Sequence, residues 1–257
     1  VQSSNPVLTR LGETARQQWN AGQQTVAARP MTLDDVVVRT VALLLLTGLS
    51  GAASWVFLTG GPLTTLIAFG SVLAGLVLGL VIAFARITNP VLISLYAITQ
   101  GVLLGVVSRI YEHAFKGIVI QAVVGTFGVF AIMAVLYKFR VLRATPRFTR
   151  FVIGALIGVV LLSVLNWVFA LFHSDLGLIK YGPTTEKVGW LPIVFSLVAV
   201  AVGALTFILD FDAVEQGVRQ GLPERYAWYC AFGMLVGLIF LYWQILRLLG
   251  YLYGGRR

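Results

Sequence analysis

Seven stretches of the chain contain no Lys, Arg, Asp, Glu or His: residues 41–58, 63–85, 91–108, 118–137, 151–172, 190–209 and 226–246. Each is 18 to 23 residues long. About 20 residues at a rise of 1.5 Å span the ~30 Å hydrocarbon core of a bilayer. The runs are continuously apolar, whereas strands of a membrane barrel alternate over about 10 residues. An open strand in lipid would also leave its backbone groups unpaired, so helices are predicted. Pro62, Pro90 and Pro192 stand at or near the starts of the second, third and sixth runs, where a missing N–H costs nothing. Thr32 with Asp34 and Asp35 forms a plausible cap before the first helix, and Arg39 would snorkel from its first turn. The pattern predicts an all-α integral membrane protein with seven transmembrane helices. A polar tail is expected over residues 1–35, the helical domain over 36–250, and a short basic tail over 251–257.

Composition strengthens this reading. Apolar residues make up 58% of the chain and charged residues 11%, against about 25% charged in soluble domains. Mean hydropathy is +0.90. The single cysteine, Cys230, cannot form an intramolecular disulfide. The net charge of +9 would suit nucleic acid on a soluble surface. Here the charges sit between apolar runs, so the expected partner is the bilayer and not nucleic acid. With the N-terminus in the cytoplasm, that side holds 12 of the 19 Lys and Arg residues, five of them in the segment 138–150. The positive-inside rule therefore predicts a multi-pass protein with a cytoplasmic N-terminus.

Four glycine pairs spaced i, i+4 suggest close helix approach: Gly75/Gly79, Gly101/Gly105, Gly154/Gly158 and Gly233/Gly237. Enzyme signatures are missing. There is no HExxH, CxxC, Walker or GxSxG motif, and His113 and His173 are expected in loops. Neither an enzymatic activity nor a bound cofactor is expected. The sequence places its most suggestive carboxylates, Asp210 and Asp212, directly after the sixth run. A carboxylate beside hydrocarbon is costly and is usually paired or functional. It can act as a proton-controlled switch, and it offers the hard oxygen that calcium prefers. Residues i and i+2 lie about 200° apart on a helix, so at most one of the two can face a given site. Thr206, one turn before Asp210, shares its face. Gln100 lies near the middle of the third helix. Arg86 and Arg39, at the cytoplasmic ends of the second and first helices, are candidate counter-charges for Asp210.

The segments NPVLISLYAITQGVLLGVVSRIYE, GIVIQAVVGTFGVFAIMAVLYKFRVLRATPRF and LDFDAVEQGVRQGLPERYAWYCAFGMLVGLIFLYWQILRLL resemble the Bax inhibitor-1 family, and its bacterial, actinobacteria-like branch more closely. The resemblance spans roughly residues 30–250. It implies a seven-helix bundle with the last helix in its centre, in the bacterial inner membrane. It also implies a pH-sensitive calcium leak, with calcium as permeant ion. In calcium-leaking relatives, two aspartates on the last two helices share a proton and plug the pore. Asp210 followed by Val214 matches the first, in a D-x-x-x-[IV] stretch, and is the calcium ligand that the resemblance implies; Asp212 is out of register. The second should lie near residues 234–236, where this chain has no carboxylate. The family also contains regulators of membrane stress and of membrane-bound proteolysis. The alternative expectation is thus a non-conducting regulator that binds another membrane protein.

Overall fold

The computed structural model describes residues 29–172, 177–180, 182, 183 and 188–254. The expected tail over 1–35 therefore lies mostly outside the described residues, as do His173 and the last three residues. Among the described residues seven helices follow one another: α1 (Leu33–Phe57), α2 (Pro62–Ala85), α3 (Pro90–Ala114), α4 (Ile118–Lys138), α5 (Pro146–Leu171), α6 (Trp190–Arg219) and α7 (Tyr226–Gly254). All seven are long and apolar enough to cross a membrane.

Several helices outrun the apolar stretches that announce them, each for a local reason. Thr32 and Asp35 form a reciprocal capping box, so α1 begins eight residues before its uncharged run. Pro146 occupies the first turn of α5 behind the Thr145 cap. The charged end of α3 stays helical because its charges find backbone partners. Arg109 donates to the Trp55 carbonyl at the end of α1, and Glu112 accepts from the Gly117 and Val119 N–H groups that open α4. His113 consequently lies in the last turn of α3 and not in a loop. α6 continues ten residues past its apolar run, through Asp210 and Asp212 to Arg219. α7 reaches Gly254 because Tyr251, 2% exposed, exchanges hydrogen bonds with the Lys180 backbone. Residues 251–254 thus belong to the bundle and not to a tail.

α7 is central: it packs on α6, α1, α4 and α3, and half of its apolar window is buried. α1 packs most extensively on α3. Their interface consists of small residues. Thr47 Oγ1 donates to the Ala97 carbonyl at 3.2 Å and Ser54 Oγ to the Val102 carbonyl at 3.0 Å. A Cβ added at Gly101 or Gly105 would collide with Ser50, Ser54 or the α1 backbone. The glycine pairs divide on this test. Gly75 and Gly79 make room for the side chains of Gln100 and Tyr96, and Gly237 makes room for Phe207. Gly154, Gly158 and Gly233 have nothing within 4 Å of an added Cβ, so the expectation of close backbone approach fails there. By contrast, α2 packs chiefly on α3, and α5 chiefly on α6.

The chain just before α1 is strapped to the α6–α7 turn. Met31 N–H donates to the Leu222 carbonyl at 2.8 Å, and Glu224 N–H to the Arg29 carbonyl at 2.9 Å. The Met31 side chain, 1% exposed, packs where Gly217 lacks a Cβ. Arg39 completes the clasp. It donates to the backbone and carboxylate of Glu224 and lies over the Trp228 ring, 5.3 Å from its centroid. Arg39→Ala is expected to cost about 1–2 kcal/mol, because this charge-assisted pair is only partly open to solvent. Thermal unfolding in detergent checks this. Arg86→Ala, which removes an exposed side chain with no ion pair among the described residues, should shift the midpoint much less.

Candidate functional site

The sixth helix presents its two aspartates in different directions, as its pitch requires. Asp212 accepts a hydrogen bond from Gln216 one turn on, at the exposed side of α6. Asp210 faces a cavity of about 700 Å³ whose walls come from α2, α3, α5, α6 and α7. A Cβ added at Gly237 on the central helix would lie 3.6 Å from Asp210 Oδ2, so the carboxylate sits against the α7 backbone. It makes no ion pair with any described residue.

Thr206 and Gln100 line the same cavity. The structure thereby brings Gln100, more than a hundred residues upstream, beside the Thr206–Asp210 pair on one turn of α6. The Thr206 hydroxyl donates to the Gly203 carbonyl at 2.7 Å, which leaves its oxygen as an acceptor toward the cavity. Gly75 gives the Gln100 amide its space. Two aromatic residues that the sequence did not single out complete the polar rim. Tyr229 donates to the Ala83 carbonyl at 3.1 Å, tying α7 to α2. Tyr96 meets Phe232 edge to face with centroids 5.0 Å apart. The rest of the lining is apolar, with Leu76, Leu80, Leu156, Val160, Val236 and Phe240 prominent. The only sequence signal for the aromatic wall was the Gly75/Gly79 pair, which makes a hollow and not a backbone contact.

The proposed counter-charges are not there. Arg39 is held by Glu224 and Trp228 in the clasp. Arg86 ends α2 in a left-handed conformation, φ 49°, with its side chain exposed and no ion pair to Asp210. Among the described residues no three His, Cys, Asp or Glu side chains gather as a metal site. A second cavity of about 560 Å³, between α1, α3, α4 and α7, has no carboxylate or basic side chain in its lining. Its Ser108 and Tyr242 hydroxyls bond each other at 2.6 Å.

A bundle of seven membrane-spanning helices with the apolar last one at its centre, and against it a carboxylate without an ion pair among the described residues, defines a class of polytopic membrane protein. The chain matches the family described as Bax inhibitor 1 like over residues 5–254 and belongs to that family. No curated protein matches the chain as a relative.

Proposed function

We propose that this protein is a passive cation leak, with calcium as the permeant ion, gated by protonation of Asp210. The observation that carries the reading is the Asp210 carboxylate itself. Among the described residues it has no ion-pair partner, and it stands in a mostly apolar pocket of the bundle, beside Gln100 and Thr206 and against the central helix. An intramembrane carboxylate is expensive, and no cation among the described residues pairs with it. A calcium ion there would take Asp210 as its one anionic ligand and fill its shell from neutral oxygens and water. Protonation removes the charge that holds the ion. The test is calcium flux into liposomes containing the purified protein, at several pH values. Flux that exceeds empty liposomes and varies with pH supports the leak. Flux equal to empty liposomes sinks it.

A second reading rests on what α7 lacks. Residues 226–254 contain no Asp or Glu, so Asp210 has no acidic partner on the central helix. That favours a non-conducting regulator that binds another membrane protein, and it becomes the leading reading if flux is absent.

The same proposal places the protein in a bacterial inner membrane with the N-terminus in the cytoplasm. The segment 138–150, with five Lys and Arg and no acid, supports this orientation. In a Cys230→Ser background, Ala144→Cys should stay unlabelled by a membrane-impermeant thiol reagent in intact cells and react after permeabilisation. Labelling from outside reverses the topology.

A further inference from the structure

The Asp210 cavity is larger and greasier than an inorganic cation needs, and its side wall is incomplete. α2 and α5 each pack chiefly on one neighbour, and the cavity lies in the gap between them with α7 behind. The residues along this gap face outward as well as inward. Leu76 is 56% exposed, Leu80 and Val160 each 48%. Val236, on the central helix ten residues from its start, is still 36% exposed. A central helix reaches the surface there only because no neighbour covers it. At that level of the bundle the surrounding medium is lipid, so the opening is lateral, toward the acyl chains.

The chemistry of the walls narrows the occupant. A pocket of several hundred Å³ that is mostly apolar, with a few convergent polar groups, suits an organic molecule. Its one charged group is Asp210, which has no ion-pair partner among the described residues. The complement of that surface is a positive charge on an apolar body. We propose that the cavity is a binding site, entered from the bilayer, for a lipophilic organic cation whose charge rests at Asp210 and whose apolar body fills the gap between α2, α5 and α7. Tyr96 and Phe232 also line the cavity, and the face of an aromatic ring attracts such a cation. Gln100 and Thr206 supply neutral oxygens beside the charge. The site extends the role given to Asp210 above, but it does not require conduction.

The probe is tetraphenylphosphonium, measured by equilibrium dialysis against the full chain in nanodiscs of zwitterionic lipid, with empty nanodiscs as the partition control. Saturable binding of one cation per chain is expected. Asp210→Asn keeps the shape and removes the charge, and should weaken binding by about tenfold or more, as when one partner of a desolvated charge pair is lost. Glu215→Gln, an acid on the same helix that pairs with Tyr137 and Arg219 outside the cavity, should leave binding unchanged. Gly233→Leu should block it with the bundle intact, because Gly233 lines the cavity and an added Cβ there meets nothing within 4 Å. Uptake equal to empty nanodiscs, or binding that Asp210→Asn leaves unchanged, overturns the site. So does full binding by a folded Gly233→Leu chain. Calcium flux is read separately. Flux without cation binding removes this site and keeps the leak, and binding without flux does the reverse.

Discussion

Asp210→Asn is expected to abolish the pH dependence of calcium flux in liposomes, while Asp212→Asn leaves most of it. The two residues are two positions apart on one helix and carry the same side chain. They differ in where the helix points them. Asp210 stands in the cavity beside Gln100 and Thr206, without an ion-pair partner among the described residues. Asp212 is engaged by Gln216 at the exposed side. Charge on the exposed side is screened by water and salt and weighs little on the bundle. A carboxylate lodged against the central helix changes the charge of a low-dielectric space each time it gains a proton. The amide in Asp210→Asn preserves volume and cannot titrate, so the flux should become flat with pH. Equal effects from the two substitutions would show that closeness to the membrane surface, and not the cavity, decides the behaviour. A pH response that survives Asp210→Asn intact would remove this residue as the sensor.

The second large effect concerns folding. Gly105→Ala should destabilise the bundle by about 1–3 kcal/mol, the usual range for forcing a methyl group into a packed interface. The added Cβ would overlap Ser54 Oγ and the Gly51 carbonyl oxygen of α1, and lie 2.9 Å from the Gly51 carbonyl carbon. Backbone atoms cannot swing aside as a side chain can. Separating the helices would also stretch the Ser54 and Thr47 hydrogen bonds to α3 carbonyls. The gain of ~1 kcal/mol in helix propensity over glycine does not offset this. Gly154→Ala is the internal comparison. It brings the same propensity gain with open space around its Cβ, so its unfolding midpoint in detergent should hold or rise. A Gly105→Ala chain as stable as the parent would mean that α1 and α3 are not in close contact.

Helix number and type were legible because lipid imposes one rule on every residue of a span, and that rule shows as a run of apolar letters. Helix ends were less legible. Polar residues continue a helix when they find partners across the fold, and Glu112 reaching the start of α4 leaves no local mark. The glycine pairs illustrate the same limit. Gly101/Gly105 and Gly154/Gly158 have the same spacing, yet only the first pair meets another backbone. Spacing reports which residues share a face, not what that face touches. Asp210 could be singled out because a carboxylate at the end of a long uncharged run is conspicuous. Its lack of a partner could not be foreseen. Arg39 had the right charge at a suitable depth, but Glu224 and Trp228, nearly 190 residues downstream, hold it elsewhere.

The clasp at residues 29–31 has a mechanical consequence. Two backbone hydrogen bonds, the Met31 side chain and the Arg39–Glu224 pair all fasten the start of α1 to the turn that launches α7. The central helix is therefore pinned at that end, and any tilt it undergoes takes the clasp as its fulcrum. Displacement along a pivoted rod grows with distance from the pivot. Gly237, where Asp210 rests, is eleven residues along α7, and Gly254 is twenty-eight. A rotation that shifts the backbone beside the carboxylate by a given amount moves the far end of α7 by about two and a half times as much, at 1.5 Å of rise per residue. A small rearrangement around Asp210 would thus be amplified at the opposite membrane face, where Tyr251 grips the segment that follows α5.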